Sequence, residues 1–214
     1  DLYVLTAVAE DHMEYFAGLA AVAKEELQPA RFSNKILVNI NDTAAQYLVG
    51  LPLIGYGLDL ETDYTLVERH EHGLMGQKLI ISTATGKQFS VEVSALGKQG
   101  AKLVLAAAAV ADQLGIEQEG IIKGLQSIKP VSGRMQILSG INGSTLIDDT
   151  YNASPIAVKA ALDVLYKTDA NQRIALLGTM NEMGEGSAEM HSEVGSYCDS
   201  SKLDMVVTIG DQAR

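Results

Sequence analysis

Short apolar runs alternate with helix-like segments along the first sixty residues of the chain. The apolar runs at 2–8, 35–40 and 53–58 are typical of buried strands, and they are separated by predicted helices at 18–27 and 44–49. Asn41, Asp42 and Thr43 form a good helix N-cap before the second helix. This order predicts a parallel sheet with crossover helices, which is an α/β layout.

The alternation of strands and helices stops after the first sixty residues and begins again in the second half of the chain. Short strands are expected at 64–68, 79–82 and 89–93, and helices at 102–114 and 118–128. The run from Lys129 to Gly133 contains Pro130 and breaks both periods, so we place a domain boundary there, between a domain at 1–130 and one at 131–214. The second domain alternates again, with strands at 135–138, 144–147, 173–177 and 205–209 and helices at 156–166 and 188–197.

Charge and cysteine content argue against several classes of protein. The net charge is −11 and no basic stripe occurs, so a nucleic-acid partner is not expected. The longest apolar run, Leu103 to Ala111, falls short of the roughly 20 residues that a membrane span needs. The single Cys198 excludes an internal disulfide and suits the cytoplasm. Because the chain does not begin with Met, we expect a fragment of a longer cytoplasmic protein.

Two candidate metal ligands lie near the first strand. Glu10 to Glu14 follow that strand, so His12 could bind a metal, although a solvated acidic turn explains the same residues. On the next helix, Glu26 shares the stripe of Leu19, Val22 and Ala23, whereas Lys24 projects elsewhere. A carboxylate on a buried stripe needs a partner such as a metal, and a helix end open to water is the alternative.

Two polar loops of the second domain also carry candidate residues. Asp148 to Pro155 links a strand to a helix, and its side chains could hold a ribose, a base edge or a metal, or could simply start the helix. Gly178 to Ser187 occupies a similar place, with Ser187 a plausible N-cap and His191 expected to be structural. No G-x-x-x-x-G-K-[ST] phosphate loop occurs in the chain.

Taken together, several strings resemble the Mur ligases, most closely the branch that adds D-alanyl-D-alanine to UDP-N-acetylmuramoyl-tripeptide. The match covers residues 1 to about 50 and about 97 to 214, and Asp148–Pro155 is its most specific part. The matching strings are 10–14, 129–134, 146–155, 177–195 and 207–210.

The resemblance implies part of a three-domain ATP-dependent amide ligase of peptidoglycan precursor synthesis. The chain would be the latter part of the central ATP-binding domain followed by most of a Rossmann-like parallel α/β domain. The implied substrates are ATP, a UDP-muramoyl peptide and D-alanyl-D-alanine, with Mg²⁺ as cofactor and an acyl phosphate as intermediate. The phosphate loop would lie upstream, so the isolated chain is expected to be inactive.

The resemblance also assigns roles to residues. His12 matches the metal-binding His, Arg134 matches an Arg that reaches the ATP phosphates, and Asp149 and Asn152 match nucleotide-contacting positions. Glu26 stands where related ligases carry a carbamylated Lys, and we expect it to replace that group as a catalytic metal ligand facing His12.

A second departure from the family is Leu103, which stands where related ligases carry an adenine-contacting Asn. Two alternatives stay open on these residues. One is another amide ligase of the superfamily, of the polyglutamate or cyanophycin type. The other is a non-catalytic binding relative, which the departures at Glu26 and Leu103 favour.

Overall fold

The computed structural model describes residues 1–10, 13–59 and 61–213, which form two compact units. The first unit holds residues 1–10, 16–59, 61–72 and 76–128, and the second holds 13–15, 73–75 and 129–213. The chain passes from one to the other between Ile128 and Lys129, beside the predicted break at Pro130.

A six-stranded sheet forms the centre of the first unit. Its strands lie in sequence order, and the first four run parallel to one another, which the alternation predicts for the first three. The last three form an antiparallel meander. The strands are β1 (Leu2–Leu5), β2 (Lys35–Asn39), β3 (Leu53–Leu58), β4 (Tyr64–Glu71), β5 (Gln77–Ser82) and β6 (Gln88–Val93).

Three helices accompany this sheet: α1 (Leu19–Glu26), α2 (Gly97–Gln113) and α3 (Gln118–Gln126). The Ala-rich α2 packs on β2 to β5, because its small side chains allow close approach to the sheet. It begins five residues before the expected start at Lys102, since Gly97 is its first residue. A Cβ at Gly100 would lie 2.9 Å from the carbonyl carbon of Ala95, so only glycine fits this first turn.

The expected N-cap at Asn41 to Thr43 is wrong, and only a 3-10 turn at Ala45–Tyr47 follows it. The Asn41 side chain instead accepts from the Leu58 N–H at 2.7 Å and donates to the Leu58 carbonyl at 3.0 Å. Asp42 accepts two contacts from the Lys102 ammonium, at 2.7 and 2.8 Å. Asn41 is thus engaged by the backbone of β3 and Asp42 by the Lys102 side chain, which leaves both unavailable for capping.

The second unit contains an antiparallel hairpin and a parallel strand pair among the residues described. The hairpin pairs β7 (Gln136–Ser139) with β8 (Thr145–Asp148). Helix α4 (Pro155–Lys167) follows, then β9 (Ile174–Gly178), α5 (Ser187–Tyr197) and β10 (Met205–Ile209), which runs parallel to β9. The α/β class predicted from the sequence is therefore confirmed.

Hydrogen bonds from two tyrosine hydroxyls join helices α4 and α5. Tyr166 donates its hydroxyl to the Tyr197 carbonyl at 2.7 Å, and Tyr197 donates its own to Asp163 at 2.5 Å. Cys198 lies beside this contact, half-buried and reduced. In the described part of the chain, no helix is both long enough and apolar enough to cross a membrane.

Tyr64 illustrates how the first unit satisfies a polar group in its core. The residue is fully buried on β4, and its hydroxyl donates to the Asp112 carboxylate at 2.5 Å. The Gln113 side-chain amide donates to the Tyr64 hydroxyl oxygen at 2.8 Å. Burial, followed by the bond to Asp112, raises the pKa of Tyr64 to about 12.

Tyr64→Phe should lower the free energy of unfolding by about 1–3 kcal/mol, because it removes a hydrogen bond to a carboxylate. The raised pKa of Tyr64 contributes to the free energy of unfolding of the wild type. This contribution is fully present below about pH 10, the ordinary pKa of tyrosine, and it is lost as the pH rises through about 12. Urea unfolding at several pH values should therefore show the difference between the two proteins shrinking above pH 10. A difference independent of alkaline pH would contradict this account.

Candidate functional site

Residues 133–135 lie against the loop that follows β8 in the second unit. The Tyr151 N–H donates to the Gly133 carbonyl at 3.1 Å, and the Met135 N–H donates to Asp149 Oδ1 at 3.0 Å. These two bonds lie on either side of Arg134. The backbone on both sides of this arginine is therefore attached to the same short loop.

The backbone at these positions has little freedom to change. Gly133 has a φ of 72°, and a Cβ there would lie 3.1 Å from the Tyr151 nitrogen. Met135 has a φ of 49°, which is strained for a residue with a side chain. The bond from its N–H to Asp149 offsets part of that cost. Gly133, Met135 and Asp149 together fix the direction in which Arg134 leaves the backbone.

The Arg134 side chain lies on an aromatic ring. Its guanidinium carbon is 4.1 Å from the centre of the Tyr151 ring, a cation–π contact. Both residues are exposed. Tyr151 was not singled out from the sequence, although an aromatic residue within a polar loop is the signal that could have identified it.

Three residues predicted to bind nucleotide come from this part of the molecule. Arg134 lies beside the loop between β8 and α4, and Asp149 and Asn152 lie within it. Burial raises the pKa of Asp149, while the Met135 N–H and the Arg134 charge act in the opposite direction. Asn152 is exposed. In sequence, Arg134 precedes Asp149 by 15 residues and Asn152 by 18 residues. The structure places Arg134 beside the loop that contains the other two.

A second loop, Gly178 to Gly186, is held by His191 of α5. The imidazole Nε2 accepts from the Met180 N–H at 3.0 Å, and Nδ1 lies 2.7 Å from the Ser187 carbonyl. The first contact requires a bare Nε2 and the second a protonated Nδ1, which defines a neutral ring with the proton on Nδ1. This geometry matches a structural role for His191. Ser187 is the first residue of α5, and Gly186 occupies the N-cap position.

The same loop contacts the segment 13–15. The Glu14 N–H donates to the Glu182 carbonyl at 3.1 Å, and a Cβ at Gly184 would lie 3.1 Å from the Met13 carbonyl oxygen. Glu182 and Gly184 both have a φ of 62°, so the loop turns sharply on both sides of Met183. Sequence reasoning did not predict this contact, because it joins segments far apart in the chain.

Glu26 does not share the buried stripe of α1, which corrects the expectation from helical spacing. Val22 and Ala23 are buried, whereas Glu26 is exposed as the last residue of the helix. Its backbone carbonyl accepts a hydrogen bond from the Tyr3 hydroxyl of β1. A crossover helix runs back along its strand, so this end of α1 lies near the start of β1, while Glu10 follows the far end.

Of the two predicted metal ligands, the structure describes Glu26 but not His12. His12 lies outside the described residues, so its pairing with Glu26 stays a prediction. Within 1–10, 13–59 and 61–213, no group of three His, Cys, Asp or Glu side chains could hold a metal ion. Lys24 is exposed, as expected. Leu103, the other departure from the family pattern, is 63% exposed on α2.

Comparison with known proteins gives matches along both units. Residues 133–214 match the family model described as Mur ligase, glutamate ligase domain. The UDP-N-acetylmuramoyl-tripeptide–D-alanyl-D-alanine ligase of Haemophilus influenzae is 30% identical over 225 residues, which cover 98% of this chain and 46% of the relative. The ligase of the same name from Bacillus subtilis is 28% identical, with 98% and 46% covered. Residues 133–214 therefore match a Mur ligase domain, and the chain as a whole is similar to the D-alanyl-D-alanine-adding ligases.

Solved structures show the same fold. MurF from Acinetobacter baumannii superposes with a TM-score of 0.89 at 24% identity, covering 99% of this chain and 47% of that one. MurF from Thermotoga maritima in complex with ADP gives 0.85 at 24% identity, covering 99% and 49%. The chain therefore spans about half the length of the relatives that it matches.

His191→Ala should loosen the loop at Gly178 to Gly186 without unfolding the sheet. The substitution leaves the N–H of the buried Met180 without its acceptor, which costs about 1–3 kcal/mol locally. Hydrogen exchange of peptides covering 178–187 should become faster, while peptides covering β9 change little.

His191→Gln is the matched control, because its amide oxygen can reach the position of Nε2 and restore an acceptor. It should restore part of the protection from exchange. Equal protection in the wild type and His191→Ala would show that the imidazole does not hold the loop.

Proposed function

We propose that the full-length protein containing this chain is an ATP-dependent amide ligase of peptidoglycan precursor synthesis. It adds D-alanyl-D-alanine to UDP-N-acetylmuramoyl-tripeptide in the cytoplasm. The observation that carries this proposal is the extent of the Haemophilus influenzae match, which covers 98% of the chain and therefore both units. A likeness limited to residues 133–214 would support only a shared domain.

The choice of acceptor rests on a difference between relatives. Ligases named for the addition of D-alanyl-D-alanine match 97–98% of the chain at 28–30% identity. A UDP-N-acetylmuramate–L-alanine ligase from Legionella pneumophila matches 80% of it at 24% identity. The more complete and closer match favours the D-alanyl-D-alanine branch.

The proposed reaction has two steps. A carboxylate oxygen of the muramoyl peptide attacks the terminal phosphorus of ATP, and ADP leaves, which produces an acyl phosphate. The amino group of D-alanyl-D-alanine then attacks the acyl carbon, the carbon–oxygen bond to phosphate breaks, and the attacking nitrogen loses a proton. Negative charge accumulates on phosphate oxygens, so positioned cations carry much of the catalysis.

Arg134 is our candidate for one of these cations. It is exposed and its backbone is held on both sides, as a phosphate-binding guanidinium requires. Asp149 and Asn152 would contact the nucleotide from the adjoining loop. For Asp149 this role is shared with the bond to Met135, which uses its Oδ1. The ADP complex of the Thermotoga maritima MurF is consistent with adenine nucleotide use by this fold.

Mg²⁺ belongs to the proposal through the family resemblance. The described residues do not supply a ligand group for it, and the exposed Glu26 lies beside Tyr3. His12 is retained as the proposed metal ligand. Glu26 is retained only as a residue to be tested, by comparing the Mg²⁺ dependence of Glu26→Gln with that of the wild type.

The proposal is tested by ADP release from the full-length protein supplied with UDP-N-acetylmuramoyl-tripeptide. ADP release should depend on D-alanyl-D-alanine and should be accompanied by formation of the pentapeptide product, detected by mass spectrometry. Turnover with glutamate in place of the dipeptide would point to a polyglutamate-type ligase. Nucleotide binding without turnover on any acceptor would point to the non-catalytic relative that Leu103 and Glu26 favour.

Arg134→Ala in the full-length protein should lower the rate of ADP release at least tenfold and leave the melting temperature nearly unchanged. The exposed guanidinium adds little to folding, whereas loss of a phosphate-bound charge removes transition-state stabilisation. Arg134→Lys is the control and should recover part of the activity, because it keeps the charge without the planar fork. A lower melting temperature with unchanged turnover would assign Arg134 to folding.

A further inference from the structure

The contacts around Arg134 separate into two kinds. The backbone contacts on either side hold the chain, through the Tyr151 N–H and the Asp149 carboxylate. The ring of Tyr151 holds the side chain, with the guanidinium carbon 4.1 Å from its centre. Any residue except proline at position 151 can donate the backbone N–H, so the ring is not needed for the first kind of contact.

We propose that Tyr151 is a positioning residue, whose ring face holds the Arg134 guanidinium in the orientation that receives the phosphates of ATP. This inference rests on the proposed function, in which Arg134 binds those phosphates. Tyr151 itself acts through Arg134, and its hydroxyl has no part in the effect.

The geometry of a guanidinium explains why a ring suits this purpose. Its five N–H donors lie in the plane of the group, and that plane forms paired bonds to phosphate oxygens. A ring below the plane contacts the face and leaves the donors at the edge available. A carboxylate would engage the edge and compete with phosphate, so an aromatic partner can restrain the arginine without blocking it.

The exposure of Tyr151 also argues for a role beyond packing. The residue is 72% exposed, so its ring buries little apolar surface and adds little to the core. A free arginine side chain samples many rotamers, and restraint in the unbound protein reduces the ordering that nucleotide binding requires. The expected consequence is weaker ATP binding and slower turnover when the ring is lost, with no loss of folding.

The experiment compares Tyr151→Phe with Tyr151→Leu in the full-length protein. Phenylalanine keeps the ring, whereas leucine keeps an apolar side chain without a π-face. ATP affinity by calorimetry and kcat/KM for ATP should stay within about twofold of wild type in the Phe variant. Both should fall about fivefold in the Leu variant, the scale of an exposed cation–π contact. The melting temperatures of all three proteins should agree.

A double-variant cycle with Arg134→Ala supplies the decisive readout. In the Arg134→Ala background, Tyr151→Leu should have no further effect, because the ring acts only through the guanidinium. An equal loss in both backgrounds would overturn the proposal, as would equal values for the Phe and Leu variants.

Calorimetry and ligation together separate this proposal from the ligase assignment. If ATP affinity follows the ring in an Arg134-dependent way but no acceptor is ligated, Tyr151 positions Arg134 and the ligase proposal fails. If ligation proceeds and neither readout responds to the ring, the ligase proposal stands and the positioning role is overturned.

Discussion

Two hydrogen bonds, from Tyr151 to Gly133 and from Met135 to Asp149, determine the geometry of the candidate site. They explain why glycine suits position 133, which has a φ of 72° and leaves only 3.1 Å between a Cβ and the Tyr151 nitrogen. They also explain how Met135 keeps a left-handed backbone, because its N–H has a carboxylate acceptor. Asp149 consequently accepts a backbone hydrogen bond within the site, in addition to its proposed contact with the nucleotide. Burial raises the pKa of this carboxyl and the Asp148 charge acts in the same direction, while the Met135 N–H and the Arg134 charge oppose them.

The sequence predicts the order of strands and helices well, because that order depends on the period of apolar residues. β2 is continuously buried beyond Lys35, and β6 alternates between exposed and buried residues, so both are recognisable from local pattern. The sequence predicts the start of α2 at Lys102, five residues after its actual start at Gly97. Gly100 lies inside the helix despite the low helix propensity of glycine, because a Cβ there would lie 2.9 Å from the carbonyl carbon of Ala95. Asn41 also departs from the local pattern, because its amide binds β3 instead of capping the next turn.

For the candidate site, the sequence names candidate residues but does not give their arrangement. Arg134, Asp149 and Asn152 were predicted from family strings, and the structure places them at one pair of adjoining segments. The Glu26 argument failed in its geometric part. The helical stripe is a property of the middle of a helix, and Glu26 is the last residue of α1, where the side chain can turn to water. Tyr151 was missed because a cation–π partner has no fixed spacing in sequence.

The second loop adds a connection that neither the motifs nor the periodicity indicated. His191 holds the Met180 N–H, and two residues further on Glu182 accepts the N–H of Glu14. Glu14 belongs to the acidic string that contains the proposed metal ligand, whereas the loop belongs to the family-matched region from residue 133 onward. A backbone bond of this kind does not use the side chain of either residue, so no motif or periodicity in the sequence marks it. The bond between Met180 and His191 and the bond between Glu14 and Glu182 thus lie two residues apart on one loop, so the loop is attached both to α5 and to the segment 13–15.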